Sequence, residues 1–244
     1  MPQLRMRLYV CITLVGLLFG RSGLYPAAGA NTRGDVQEVW RLEAPLRSEA
    51  SAPEMMLRFF SLTPPSSADT GSAVDIQAID IVWLDAERPE QRLEGFAAQL
   101  LDIEAGQGFV LEDMNFDGYN DLRIVEFLPA APNVPYHVWL YEPQSGLFVA
   151  DEALSSLVSP QVDAQAEQIL SFYRLSPTTY VQDFFGYVDG SLRLLRREEQ
   201  VFLPNEERFR LRVFLADTDQ EPSSVLDDSH LLLAEELLLE ESHW

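Results

Sequence analysis

The sequence predicts a mainly β, antiparallel fold with few short helices, and three observations support this. Along most of the chain, short apolar runs rich in β-branched and aromatic residues recur with a period of two, as strands do. Asp189-Gly190 stands between two such runs, which is among the strongest hairpin signals. Signals for helix ends are few. With 244 residues, 47% of them hydrophobic, the chain is long enough for one principal domain over about 36–215.

The predicted strands follow one another in chain order. They cover residues 36–42, 55–62, 74–83, 122–128, 136–141, 147–149, 179–188, 192–201 and 208–215. Residues 31–72 form the N-terminal strands and a turn-rich loop, and residues 73–215 form the remainder of the β domain. Two helices are predicted, one within 159–172 after Pro160 and one over 227–241, in an acidic C-terminal tail spanning 216–244.

The first thirty residues have the pattern of a secretory signal peptide. Arg5 and Arg7 precede a mostly apolar run over 8–19, and Ala28-Gly29-Ala30 gives the small residues of a cleavage site. The alternative is a membrane anchor, but twelve helical residues span roughly 18 Å, which is short for a hydrocarbon core of about 30 Å. We therefore expect a periplasmic or secreted protein without stable membrane insertion after cleavage.

The charge balance excludes some partners. The chain has 39 acidic residues against 17 basic ones, all arginine, for a net charge of −22. Cleavage after Ala30 would remove three arginines and no acid, which gives −25, and would also remove Cys11, the one cysteine. Nucleic-acid binding needs a cationic surface, so we expect none, and a cationic partner fits better.

One loop carries a sharp motif, DMNFDGYND over 113–121. Side-chain oxygens of Asp113, Asn115 and Asp117 alternate, Gly118 permits a sharp turn, and the Tyr119 carbonyl and Asp121 carboxylate can complete the arc. Such a density of oxygens is what Ca²⁺ requires, whereas Mg²⁺ prefers a tighter octahedron. The twelfth position of the motif is Ile124, not the glutamate of an EF-hand, so the loop precedes a strand. The alternative is a solvated turn that binds nothing.

From this loop onward the chain resembles known proteins. The motif over 113–122 resembles the calcium loops of FG-GAP and VCBS-type β-propeller repeats. NFDGYNDL, then VPYHVWLYEPQSGLF and the hairpin over 180–198 resemble exported bacterial inhibitors of lysozyme-type peptidoglycan hydrolases, some of which are periplasmic immunity proteins. The resemblance covers about 74–200. It implies a small propeller-like domain, with calcium held by Asp113, Asn115, Asp117, Tyr119 and Asp121.

Catalysis finds little support in the sequence, and we expect a protein that is not an enzyme. A chain cleaved after Ala30 has three histidines and no thiol, and it has neither a G-x-S-x-G nor an H-E-x-x-H motif. The segment Ser145-Gly146-Leu147-Phe148 is similar to the Ser-Gly-x-Tyr segment of other lysozyme inhibitors, but a plain hairpin turn explains it better. The expected function is inhibition of a cationic peptidoglycan hydrolase. The alternative is a calcium-dependent carbohydrate- or surface-binding module.

Overall fold

The computed structural model describes residues 36–49, 52–63, 73–84, 88–102, 105–130, 132–217 and 224–243. The predicted signal peptide lies outside these residues, as does most of the predicted loop over 63–72. Within them the chain forms fourteen strands and one four-residue helix, so the prediction of a mainly β, antiparallel fold is confirmed. The part of the chain that is described contains no helix with the length and apolarity needed to cross a membrane.

The strands form three antiparallel sheets, each built from consecutive strands, as in the blades of a propeller. The first sheet contains β1 (Gln37–Pro45), β2 (Glu54–Ser61), β3 (Val74–Trp83) and β4 (Gln91–Leu100). The middle sheet contains β5 (Phe109–Glu112), β6 (Asp121–Val125), β7 (Tyr136–Glu142) and β8 (Leu147–Ala150). After the helix α1 (Glu152–Ser155), the third sheet contains β9 (Pro160–Asp163), β10 (Gln168–Ser176), β11 (Thr179–Val188), β12 (Ser191–Leu203), β13 (Arg208–Ala216) and β14 (Leu231–Leu239).

The predicted Asp-Gly hairpin is confirmed. Val188 pairs with Ser191, and the two residues between them have positive φ, 50° at Asp189 and 77° at Gly190. Positive φ at both central positions gives the turn the twist that antiparallel strands need, and glycine accepts it without strain.

Both predicted helices are wrong. In the segment 159–172, Pro160 is a buried residue of β9, and the Asp163 side chain accepts hydrogen bonds from the backbone N–H groups of Gln165 and Ala166, which turns the chain into β10. The segment 227–241 forms β14, which pairs with β13 along its length. Glu236 contacts Arg212 across the two strands. The side chains of this leucine-rich segment therefore pair with those of a neighbouring strand, and not with residues three or four positions away on a helix.

The middle sheet packs on both faces. Leu122, Ile124 and Trp139 face the first sheet, where they join a cluster that includes Phe59 and Ile81. The opposite face contributes Val138 to a second cluster, together with residues of α1 and the third sheet: Leu154, Ile169, Phe185 and Leu194. Because a strand alternates its side chains, β7 supplies both clusters, and the middle sheet holds the other two together.

Phe59 is the centre of an aromatic group in the first cluster. Its side chain is fully buried, and its ring centroid lies 4.8 Å from that of Trp40 and 5.0 Å from that of Phe109. Trp40 and Phe59 belong to the first sheet and Phe109 to the middle sheet, so this group joins the two sheets.

We expect Phe59→Ala to lower the free energy of unfolding by about 3–5 kcal/mol, because it leaves a cavity between two sheets. Phe60→Ala is the matched control, since Phe60 is the next residue of β2 and is only partly buried. Urea unfolding of both variants tests this. Equal losses for the two would contradict the role given to Phe59.

Candidate functional site

The acidic loop joins β5 to β6 in the middle sheet. Glu112 and Asp121 pair across the hairpin, so the eight residues between the strands start and end at neighbouring positions. Two residues in the loop have positive φ, 61° at Phe116 and 85° at Gly118. The glycine takes this conformation freely, as the sequence predicts, while Phe116 is held in it by packing of its ring, 6.2 Å from that of Tyr187.

Asp113, Asn115 and Asp117 meet inside the loop. The two carboxylate oxygens of Asp113 accept hydrogen bonds from the backbone N–H groups of Asp117 (3.1 Å) and Gly118 (2.8 Å). The amide oxygen of Asn115 also accepts from the Asp117 N–H, at 3.2 Å. Asp117 in turn accepts from the N–H of Tyr119 at 2.9 Å and from the Asn115 side-chain amide at 3.1 Å. Three of the five predicted ligands therefore lie together.

Asp121 has a different environment, which the motif did not indicate. Its side chain is fully buried. One carboxylate oxygen accepts a hydrogen bond from the backbone N–H of Met114 (2.8 Å) and the other accepts from that of Tyr141 (2.9 Å). Burial raises the pKa of this carboxyl to about 7, and the charges of Asp117 and Asp113 act in the same direction, while the two N–H bonds oppose the shift.

Tyr119 and Asn120 fasten the loop to the first sheet. The Arg47 guanidinium lies 3.5 Å from the centre of the Tyr119 ring, which is also within 5.1 Å of the Tyr141 ring. Asn120 donates from its backbone N–H to the carbonyl of Leu46 (2.8 Å) and from its side chain to that of Pro45 (3.0 Å). The loop is thus held to the chain at the end of β1 and to the ring of Tyr141 in β7.

The donor set fits a calcium ion in part. Asp113, Asn115 and Asp117 offer carboxylate and amide oxygens at the loop surface, which is the chemistry that Ca²⁺ selects. Within the described ranges, no group of three or more His, Cys, Asp and Glu side chains is arranged to hold a metal ion. Asp121 directs its oxygens to backbone N–H groups, although each oxygen keeps a second lone pair.

The other residues considered from the sequence have structural roles. Ser145 and Gly146 form the turn between β7 and β8, and Phe148 is buried in the first cluster. His137 has its Nε2 atom 2.9 Å from the carbonyl oxygen of Ala97 and its ring beside Phe96 and Trp139.

An open surface cavity of about 500 Å³ reaches the loop through Tyr187, whose ring contacts that of Phe116, and no sequence pattern indicated it. Its lining includes Asp151, Glu152, Tyr187 and Leu192, which come from α1 with its N-cap and from the tip of the β11–β12 hairpin. The Tyr187 hydroxyl is buried and has no hydrogen-bond partner among the described residues. Burial and the nearby Asp151 carboxylate raise the pKa of this hydroxyl.

Comparison with known proteins finds a likeness of fold. No family model matches the chain, and no curated protein matches it. A solved structure described as that of a Xanthomonas type IV secretion system related protein superposes with a TM-score of 0.56 at 12% sequence identity. The match covers 85% of this chain and 97% of the other. At this identity the likeness shows a shared fold and nothing more.

We expect Asp121→Ala to lower the free energy of unfolding by about 2–5 kcal/mol, because two buried N–H groups lose their acceptor. Asp117→Ala is the control, since that side chain is exposed and bonds only within the loop. Chemical denaturation of both variants without added calcium measures the difference. A loss for Asp121→Ala no larger than that for Asp117→Ala would show that the buried carboxylate is not a support of the fold.

Proposed function

We propose that this chain is an exported calcium-binding protein that binds and inhibits a lysozyme-type peptidoglycan hydrolase, as a periplasmic inhibitor or immunity protein. The observation that carries the proposal is the loop over 113–121, which gathers the oxygens of Asp113, Asn115 and Asp117 at a junction of two sheets. The resemblance of the sequence around this loop to such inhibitors, and a fold shared with a secretion-related protein, support the same proposal.

Calcium would bind at the surface of the loop. Asp113, Asn115 and Asp117 would supply side-chain oxygens and Tyr119 its carbonyl, while the buried Asp121 lies within reach of the charges of Asp113 and Asp117. A cation there would offset the charge of a buried carboxylate that the two backbone N–H groups offset only in part. Since the loop also contacts Pro45 and Leu46, the ion would stabilise the junction between the first and middle sheets.

The charge distribution supports a cationic partner. Arginines of all three sheets are engaged in ion pairs within the chain, for example Arg92 with Asp80 (2.8 Å), Arg123 with Glu112 (2.6 Å) and Arg212 with Glu236 (3.0 Å). Each arginine neutralises the charge of one acid, so the acids in excess of the arginines leave a net negative charge. This remaining charge can face solvent or a partner. Hydrolases that act on an anionic wall tend to be cationic, and opposite charges speed encounter between proteins.

A carbohydrate- or surface-binding module is the second candidate, and the cavity beside the loop favours it. Sugar sites combine an aromatic ring with polar groups that bond hydroxyls, and this cavity offers Tyr187 with Asp151 and Glu152. Calcium in the adjacent loop would then fix the shape of one wall, through the contact between Phe116 and Tyr187.

The calcium proposal predicts binding with a dissociation constant of about 10⁻⁴–10⁻³ M, the range of extracellular sites. Calcium at ten to one hundred times that value should stabilise the protein by about 1.5–3 kcal/mol. Titration calorimetry and thermal unfolding with and without a chelator measure both. Asp113→Asn and Asp117→Asn should weaken binding at least tenfold. Asp217→Asn should not, because the sequence Asp217-Thr218-Asp219 has alternate acids but no following glycine. An unchanged melting temperature after complete calcium removal would contradict the site.

The inhibitor proposal predicts that the purified protein blocks a muramidase assay in a dose-dependent way. The enzymes to test are several cationic lysozyme-type hydrolases, including any that is encoded beside this chain. Inhibition should weaken as salt rises, because screening removes the attraction between opposite charges. Retention on peptidoglycan or soluble glycans with no inhibition and no complex by gel filtration would instead favour the binding module.

A further inference from the structure

The outer edge of the third sheet exposes a run of leucines. Strand β14 is terminal in this six-stranded sheet and pairs only with β13 among the described strands. Leu232, Leu233 and Leu238 are each more than half exposed, and Leu237 and Leu215 are 40% and 47% exposed. Long apolar edge strands are rare on soluble monomers because their free backbone groups pair with other strands.

The leucines lie on both faces of the sheet. Leu232 pairs with Leu215 across the two strands, and the next residue, Leu233, pairs with Phe214 and so points to the other face. The exposed leucines are therefore divided between the two faces and mark the edge itself, not one flat face, as the apolar feature. A partner that covers both faces of an edge is another strand, added to the sheet.

Two of the acidic residues at this edge are paired with arginines, while Glu235 would face its own copy across the centre of a symmetric pair. Glu236 contacts Arg212 at 3.0 Å, and Glu240 contacts Arg208 at 3.1 Å. Because these two ion pairs lower the net negative charge of the edge, a second acidic copy meets less repulsion there than at a surface of acids without arginine partners. For the same reason a cationic partner is attracted less strongly to this edge.

The sequence of β14 is nearly symmetric about its middle. It reads LLLAEELLL over Leu231–Leu239. When such a strand pairs antiparallel with an identical one about its centre, leucines meet leucines at both ends. The pairing of β14 with β13 is irregular near Ala234, so in a symmetric pair the two irregularities lie on either side of the central Glu235.

We propose that β14 pairs antiparallel with β14 of a second copy, giving a two-fold dimer with a continuous sheet across the interface. This inference does not depend on calcium or on any hydrolase. In this proposal the leucine-rich strand β14 serves self-association, and the acidic surfaces of the other two sheets remain free to bind a different protein.

Sedimentation of the purified protein between roughly 1 µM and 100 µM tests the proposal, because dimers form with rising concentration. We expect the mass to double across this range, and the dissociation constant to fall as salt rises, since salt screens two acidic copies from each other. Leu233→Lys and Leu238→Lys should weaken the dimer by about tenfold or more. Leu175→Lys is the control, since that leucine is 66% exposed on β10 and should leave the dimer intact.

A cross-link tests the position of the two-fold axis. In a chain carrying Cys11→Ser, Glu235→Cys should oxidise to a covalent dimer, because paired strands place opposite Cα atoms about 4.5–5.5 Å apart, within disulfide range. Leu175→Cys should not. A monomer at every concentration, or equal cross-linking at both positions, would overturn the proposal. The proposal would also be overturned if the lysine variants left the mass unchanged but weakened binding to a hydrolase. In that case the hydrolase, and not a second copy, binds at this edge.

Discussion

The buried carboxylate of Asp121 is the contact on which the middle of the structure depends. It accepts hydrogen bonds from Met114, at the start of the acidic loop, and from Tyr141, on the next strand. A negative charge in an apolar environment is costly, and the N–H groups compensate for it only in part, as the pKa near 7 indicates. The loop therefore places acidic side chains near a group whose charge is already unfavourable, which is a physical reason for a cation there.

The loop also lies where the sheets meet. Asn120 bonds the carbonyls of Pro45 and Leu46 in the first sheet, and Phe116 packs on Tyr187 in the third. The middle sheet between them is apolar on both faces. An ion bound by this loop would thus act on the packing of all three sheets, and the small chain would gain stability that it does not draw from disulfides.

Much of the fold could be predicted from local patterns, because strand alternation and Asp-Gly turns are determined by neighbouring residues. The hairpin of β11 and β12 is the clearest instance. The segment over 227–241 could not be, since its leucines and glutamates suit a helix equally well and only its pairing with β13 along the strand decides. In the loop, spacing indicated which residues would gather, but the burial of Asp121 depends on Tyr141, twenty residues away along the chain.

Native-state hydrogen exchange of the Met114 and Tyr141 amides tests most directly whether Asp121 holds the loop to the middle sheet. Both amides are hydrogen-bonded to a buried carboxylate, so they should exchange only through global unfolding, with the free energy measured for the whole domain. Calcium should slow both to the same extent. Exchange of either amide through local opening, at a free energy well below that of global unfolding, would contradict the account.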